Sequence, residues 1–378
     1  MKTIITSIIT TMLTAALFGQ SQLNFVEKVI QANFGGACTI ASADFDGDSD
    51  LDIVATSFND GYISWLENDG QQNFTEHKIV TNFNEATVVD VAKIDDDEDF
   101  DLIATAQADN KISWFENDGS GNFLEHIITN SFQSAGFVYA RDQHRGIDLD
   151  INGDGHTDFI ATGTEPGDKI SWFENDGNQN FTEHLLKENW YWVRRASAFD
   201  IDKDGDMDIF AGGKAGDLIW FENDGSNNFT ENVIISDWGW LNAVLAEDID
   251  KDGFIDLVAT TVVVNEVAWF KNDGNQNFTK YVIKDNYDGA FGLLVEDIDI
   301  DNDLDIIATA WIGGFGSIFE NDGNQNFSEY VFCDTGNELL HLFTTDIDKD
   351  GDLDILGACY DESLPELRLW EIHLIQAP

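Results

Sequence analysis

The sequence predicts an all-β fold, a seven-bladed β-propeller with four-stranded blades, and three observations carry that expectation. An acidic nonapeptide recurs seven times, with first positions at Asp44, Lys93, Asp150, Asp200, Asp248, Asp297 and Asp346. The spacings are 49, 57, 50, 48, 49 and 49 residues, a period that reads as one supersecondary unit per repeat. Each unit holds four short runs rich in β-branched and aromatic residues and bounded by Gly, Asn and Asp, the pattern of strands joined by tight turns. The two ends also complement each other. Repeat seven has its third run, Leu367 to Trp370, but no Asn-Asp-Gly turn after it, whereas Asn24 to Ile30 resembles the fourth strand of every other repeat. The N-terminal strand is therefore expected to complete the last blade and close the ring, removing the open edges of a sheet.

Within a repeat the first strand is a run such as Ala86 to Val89, which leads into the acidic loop. The second strand follows the loop, as in Leu51 to Thr56. The third is exemplified by Ile170 to Phe173 and ends on Glu-Asn-Asp-Gly, and the fourth by Asn180 to Leu186. Nothing keeps a helical period over a useful length.

The remaining composition fits a folded, exported chain. Of 378 residues 43% are hydrophobic, with 28 Phe and 11 Trp, enough for a large core. A formal charge of −53 argues against nucleic acid as a partner. Lys2 followed by the apolar run Ile4 to Phe18 reads as a secretory signal peptide over residues 1–20, leaving 21–378 as a single propeller. No later segment is long and apolar enough for a helical membrane span. The expectation is a monomeric protein, secreted or at the cell surface. The three cysteines, Cys38, Cys333 and Cys359, lack metal-ligand spacing and read as packing residues, with a Cys38 to Cys359 disulfide left open.

The acidic loops are the strongest chemical signal. In repeat four, Asp200, Asp202, Asp204 and Asp208 surround Gly205, so alternating carboxylates meet on a tight turn. Calcium prefers six to eight oxygens in flexible geometry, which such a loop delivers better than the small octahedron magnesium demands. An ion-free cluster this regular only repels itself. A catalytic reading fails because acid and base need unlike environments, and seven near-identical loops provide none.

These loops and their spacing resemble the FG-GAP or VCBS repeat family, whose members include the calcium-binding blades of integrin alpha-subunit propellers. The resemblance implies seven blades with calcium in the loop between the first and second strands. Repeats five and seven match repeat four through Asp248, Asp250, Asp252 and Asp256 and through Asp346, Asp348, Asp350 and Asp354. Repeat three replaces one acid with Asn152, beside Asp150, Asp154 and Asp158, and repeat six carries Asp297, Asp299, Asp301 and Asp305 with Asn302 at the turn. Repeat one, with Asp44, Asp46, Asp48 and Asp52, moves its glycine to Gly47 and puts Ser49 in the turn. Repeat two departs furthest. Lys93 and Glu98 replace the first ligand and the glycine, leaving Asp95, Asp97 and Asp101, and the Lys93 amine is a candidate substitute for the ion.

Trp65, Trp114, Trp172, Trp220 and Trp269 share one third-strand position, with Ile318 and Leu369 in the other repeats, and read as packing between blades. The Asn-Phe-Thr sequons at Asn73, Asn180, Asn228 and Asn277 belong to the repeat's turn and read as incidental matches.

Function is expected where the repeats differ. Four of the five arginines, Arg141, Arg145, Arg194 and Arg195, fall in the segments entering blades three and four, where the one overlong interval lies. Around them stand Tyr139, His144, Trp190, Tyr191 and Trp192, with Trp238, Trp240 and Trp311 further on. Arg pairs bidentately with carboxylate or sulfate, and aromatic rings stack on sugar faces. Three readings follow. The first is a non-catalytic module binding a glycan or an extracellular protein. The second is a uronate lyase in which Arg neutralises the carboxylate and Tyr139, Tyr191 or His144 moves the proton. The third is a spacer whose arginines pair with neighbouring aspartates.

Overall fold

The computed structural model describes residues 22–375 except 96, 143, 144, 335, 337 and 361–364. The proposed signal peptide and His144 lie outside the described residues. Seven four-stranded antiparallel sheets form a ring, a seven-bladed β-propeller, with no helix among the described residues. Blade one runs Ala37–Ala43, Asp52–Ser57, Tyr62–Asn68 and Phe74–Thr81 from the axis outward. In blade seven the order is Leu339–Thr345, Asp354–Cys359, Glu366–Ile375 and then the N-terminal strand Gln22–Ala32, which pairs with Glu366–Ile375 from Gln22 opposite Ile375 to Ala32 opposite Glu366. The ring closes as the end complementarity requires.

Burial explains why the second strands read as unbroken apolar runs. Every residue of Asp52–Ser57 and of Asp101–Ala106 is buried, because neighbouring blades cover both faces. Outer strands such as Phe74–Thr81 are half-exposed instead. The core is a set of interblade layers: Val54, Ile63 and Trp65 of blade one pack with Val89, Leu102 and Phe115 of blade two, and Ile40 and Ile53 meet Leu356 and Leu369 across the closure. The Trp row thus packs between blades. It also contacts its own outer strand, with Trp65, Trp114 and Trp172 stacked on His77, His126 and His184 at 4.7, 4.5 and 4.3 Å between centroids.

The Ala-Thr step of the second strand ties blades together near the axis. Oγ1 of Thr56, Thr105, Thr162 and Thr260 donates to the backbone carbonyl of Thr87, Gly136, Arg194 and Phe291 in the next blade, at 2.8 to 3.1 Å. These contacts fix the height of the innermost strands, and with it the residues that face the central channel.

The eight extra residues of blade three form a two-stranded hairpin, Arg141–Asp142 with Ile147–Asp148, between the blade's first strand Ala135–Tyr139 and its second, Phe159–Gly163. It therefore sits on the acidic-loop face. All three cysteines are free thiols, so the Cys38 to Cys359 bridge is not formed. No helix among the described residues is long and apolar enough to cross a membrane.

Candidate functional site

The acidic loops share one architecture. The second residue, from Phe45 in blade one to Ile347 in blade seven, is buried and anchors the loop. The ninth residue is a buried Asp clamped by two backbone donors: Asp52 accepts from Phe45 N at 3.2 Å and from Asn68 N at 2.8 Å, and Asp208 from Ile201 N and Asn223 N at 3.3 and 2.8 Å. Burial raises these seven carboxyls, from about 6 at Asp52 to about 8 at Asp305, with the backbone donors opposing. The indole N–H groups of Trp65, Trp220 and Trp269 point at Asp52, Asp208 and Asp256 and favour their charged form, without reaching full hydrogen bonds. A row read as packing alone also supports the loops.

Two left-handed residues shape the turn in every blade but the second. Gly205 has φ +102° and Lys203 +64°, while in blade one Ser49 and Gly47 take +77° and +76°. The glycine displaced in blade one still serves a left-handed position, so that loop keeps its form. Three lysines at the fourth position each link their loop to the next. Lys203 donates to the Gly253 carbonyl, Lys251 pairs with Asp303 at 2.7 Å and Lys349 with Asp50 at 2.6 Å.

Five loops bring three carboxylate oxygens within 4.8 Å of one another: Asp44, Asp46 and Asp48; Asp200, Asp202 and Asp204; Asp248, Asp250 and Asp256; Asp297, Asp299 and Asp305; Asp346, Asp348 and Asp354. These clusters can hold metal ions. Oδ1 of Asp248 and of Asp346 is buried with no hydrogen-bond partner, a costly state that a cation relieves. In blade three, Asn152 turns its Nδ2 to Asp154 and Glu174.

One sequence expectation about the loops needs correcting, and one loop carries a cation of its own. In blade two the Lys93 ammonium does not stand in for the ion; it pairs with Glu98 at 2.8 Å because the long side chain reaches solvent more readily than the cluster. Blade five, ranked with the best loops, contains an internal cation. Lys271 stands where the other blades have Glu67, Glu116, Glu174, Glu222, Glu320 and Glu371, and its Nζ pairs with Asp250 and, at 2.8 Å, with Asp252.

On the opposite face the channel opens as a funnel of about 280 Å³. Its wall carries Phe58, Phe137, Trp192, Phe291, Trp311 and Tyr360, one or more from five blades, and its floor carries Arg194 and Arg195. The Arg194 guanidinium lies 5.1, 5.0, 5.7 and 5.4 Å from the ring centroids of Trp192, Trp240, Phe137 and Phe291. Neither arginine has a carboxylate partner among the described residues, and Nε of each is buried without a hydrogen bond. Burial pushes the Arg194 pKa down to about 10, with Cys38 opposing and Arg195 adding to the fall. Burial likewise pushes the Cys38 thiol up to about 12 despite Arg194.

At the rim, Trp192 adopts φ +52°, a strained state for a bulky side chain, held by its N–H donating to Asp168 at 3.0 Å and its Nε1 to Glu165 at 3.2 Å. Lys214 sits 4.5 Å from the Trp192 centroid and 4.8 Å from that of Trp240. Below the funnel, Arg195, Tyr139 and His341 line a second cavity of about 100 Å³. Burial, reinforced by Arg195, drives the His341 pKa well below its usual value, and its Nδ1 is buried with no partner.

The sequence profile of the FG-GAP-like repeat matches residues 44–104, 150–211 and 200–259. These segments are FG-GAP-like repeats. Each match runs from one acidic loop through the second, third and fourth strands of its blade to the acidic loop of the next. No curated protein matches the chain in sequence. Among solved structures it resembles a streptogramin B lyase (14% identity, 93% of this chain and 98% of that one, TM-score 0.64) and the virginiamycin B lyase of Staphylococcus aureus (15%, 94% and 100%, TM-score 0.64). It also resembles an Agrocybe aegerita lectin described as recognising non-reducing terminal N-acetylglucosamine (20%, 78% and 80%, TM-score 0.55). At such identities the likeness speaks for the fold alone.

The FG-GAP-like blades separate the predicted ligand residues into three groups. Arg194, Arg195, Trp192, Trp240 and Tyr191 gather at the funnel, where Tyr191 is exposed and its Oη donates to Glu165. Arg141 and Arg145 lie after the first strand of blade three, not before it, and face the other end of the channel. There Arg141 pairs with Asp148 at 2.5 Å, and Arg145 with Asp142 and, at 2.8 Å, with Glu247. For this pair the spacer reading describes what is seen. Trp190 and Trp238 are buried packing residues, because they occupy the repeat position filled by Phe34, Phe83, Phe132 and Tyr287. Aligning the repeats would have revealed this. The sequence reading missed His341, Phe137, Phe291 and Lys271, of which only Lys271 leaves a signal, as a Lys in a Glu column.

The Asn-Phe-Thr sequons are explained as well. Asn73, Asn180, Asn228 and Asn277 each donate Nδ2 to the aspartate of the preceding Asn-Asp-Gly turn, at 2.9 to 3.0 Å to its Oδ2.

Proposed function

We propose that this protein is a secreted, calcium-stabilised binding module that holds an anionic saccharide in its axial funnel. The observation that carries the reading is the pair Arg194 and Arg195. In a chain of net charge −53, where the other three arginines are all paired with acids, these two are kept unpaired beneath aromatic rings. Burying unpaired charge is costly, and an anion relieves it. Guanidinium matches carboxylate or sulfate bidentately, while rings such as Trp192 and Trp311 suit sugar faces. The lectin among the similar structures is in keeping with a saccharide ligand.

Calcium fits the loops by donor chemistry: clustered carboxylate oxygens, no soft ligands, and buried oxygens without partners. Asp200, Asp202, Asp204 and Asp208, with their counterparts in blades one, six and seven, would hold it. A bound ion would supply charge compensation that stiffens the loops. In this reading the loops are structural and the funnel is the working end.

The test is calorimetric titration of the calcium-loaded protein with galacturonic acid, galactose 6-sulfate and galactose. Binding of an anionic sugar with galactose at least tenfold weaker is expected, and Arg194→Ala with Arg195→Ala should remove it, since charged hydrogen bonds contribute about 1.5–3 kcal/mol each. Equal affinity for galactose would reject the role given to the arginines.

A second reading, eliminative cleavage of uronate chains, is favoured by one observation. The unpartnered Nδ1 of His341, kept neutral beside Arg195, has the properties of a base for the proton next to a neutralised carboxylate, and this reading requires the sugar to pass Arg195 into the lower cavity that His341 lines. Appearance of unsaturated uronate absorbance on incubation with polygalacturonate, abolished by His341→Gln, would establish it.

A further inference from the structure

Beneath the funnel the channel narrows to the lower cavity. The blade-three hairpin runs beneath the lower cavity, where Arg141, Asp142, Arg145 and Leu149 line it together with first-strand residues of blades four to seven. Arg145 ties the hairpin to the next two blades: its Nη2 donates to the Ala246 carbonyl at 2.7 Å and pairs with Glu247 of blade five, and its guanidinium lies 4.0 Å from the Phe199 ring of blade four. These contacts join three blades, and Arg141 and Arg145 are both paired with acids.

Size points the same way. The lower cavity, about 100 Å³, is far below the roughly 300 Å³ at which small-ligand pockets begin, whereas the funnel, about 280 Å³, is close to that bound. Arg195 lines both and marks the depth at which a ligand must stop. The unpaired guanidinium groups therefore lie where the channel becomes too narrow for a sugar to pass further. An internal residue of a linear chain could reach them only if both flanking segments left by the funnel mouth, doubling the chain on itself.

We propose that the funnel reads chain ends: its ligand is a terminal acidic sugar, or a single-sugar branch, and an internal residue of a linear polyanion is excluded. This rests on the anionic-saccharide reading above and adds a topological restriction to it. Blade three supplies the restriction and blade four the charge.

The experiment titrates the calcium-loaded protein with galacturonic acid, a ladder of oligogalacturonates and high-mass polygalacturonate, each expressed both per chain and per sugar. End reading predicts affinities within about threefold of one another per chain, one site per protein, and displacement of the polymer by the monosaccharide. Capacity that scales per sugar, with several proteins bound along one polymer chain and no competition from galacturonic acid, would overturn end reading while leaving anion binding intact. Failure of every galacturonate to bind would overturn the anionic-saccharide reading itself. Arg145→Gln is a further arm, because loosening the hairpin beneath the lower cavity should leave the monosaccharide affinity unchanged. A tenfold loss there would mean that Arg145 belongs to the ligand site and that the ligand does not stop at Arg195.

Discussion

Replacing Lys271 with Glu gives blade five the residue that the six other blades carry, and the structure sets the size of the effect. In the present protein the Lys271 ammonium, about 30% exposed, compensates Asp250, about 9% exposed, and Asp252. Without it, oxygens of Asp248, Asp250 and Asp256 within 4.8 Å face one another uncompensated. Each such pair repels by about 1 kcal/mol in water-like surroundings and about 3.5 kcal/mol at an effective dielectric of 20. A loss of about 3 kcal/mol is therefore expected for K271E in chelator, or a fall in Tm of about 4 °C for a single domain of roughly 350 residues. Calcium should reverse the sign, because the added carboxylate supplies an oxygen where an ammonium stood. Equilibrium dialysis should find one more calcium per chain in K271E than in the wild type, and scanning calorimetry a larger calcium-induced rise in Tm. Unchanged stoichiometry together with an unchanged Tm in chelator would refute the assignment of Lys271 as blade five's internal cation.

Other consequences are open to direct measurement. Chelation should lower the Tm of the wild type and millimolar calcium restore it; no shift would count against metal in any loop. A chain beginning after Ala32 should lose the closure of blade seven and with it several kcal/mol, seen as an early calorimetric transition or as aggregation, because Phe25 and Leu23 pack into the Phe332 and Trp370 cluster. His341, whose folded pKa lies well below 6.5, binds a proton more readily when unfolded. Its contribution to stability is thus present above about pH 6.5 and is lost as the pH falls below that value, so His341→Gln should flatten the stability profile between pH 7 and 5. Chemical denaturation at three pH values decides it.

Much of the architecture was legible because it is local chemistry repeated. Alternating aspartates with a left-handed residue at the sixth position specify a tight turn wherever they occur, and Asn-Asp-Gly specifies the hairpin after the third strand. The missing fourth strand of the last repeat and the spare strand at the N-terminus are likewise visible in one dimension. The funnel was only half legible. Arginines and aromatics drew attention to blades three and four, yet sequence proximity grouped Arg141 with Arg194 although a full first strand separates their faces. Trp190 beside Tyr191 and Trp192 looked like one aromatic patch, whereas the first is buried in an interblade layer and the other two reach the rim.

By itself, then, the sequence determined the number of blades, the order of their strands, the acidic loops and the closure of the ring. The tertiary structure decided which side chains meet at the axis. The reason is geometric: the funnel gathers positions about 49 residues apart, one from each blade, so no window of sequence contains it. Most of the first strands also carry a register shift near their start, as between Ala37 and Ile40 or Leu339 and His341, where the alternation of inward and outward side chains breaks. Whether Arg194, Arg195 and His341 point into the channel, and whether Lys271 fills a site that its loop was built to share, follows only from the packed ring.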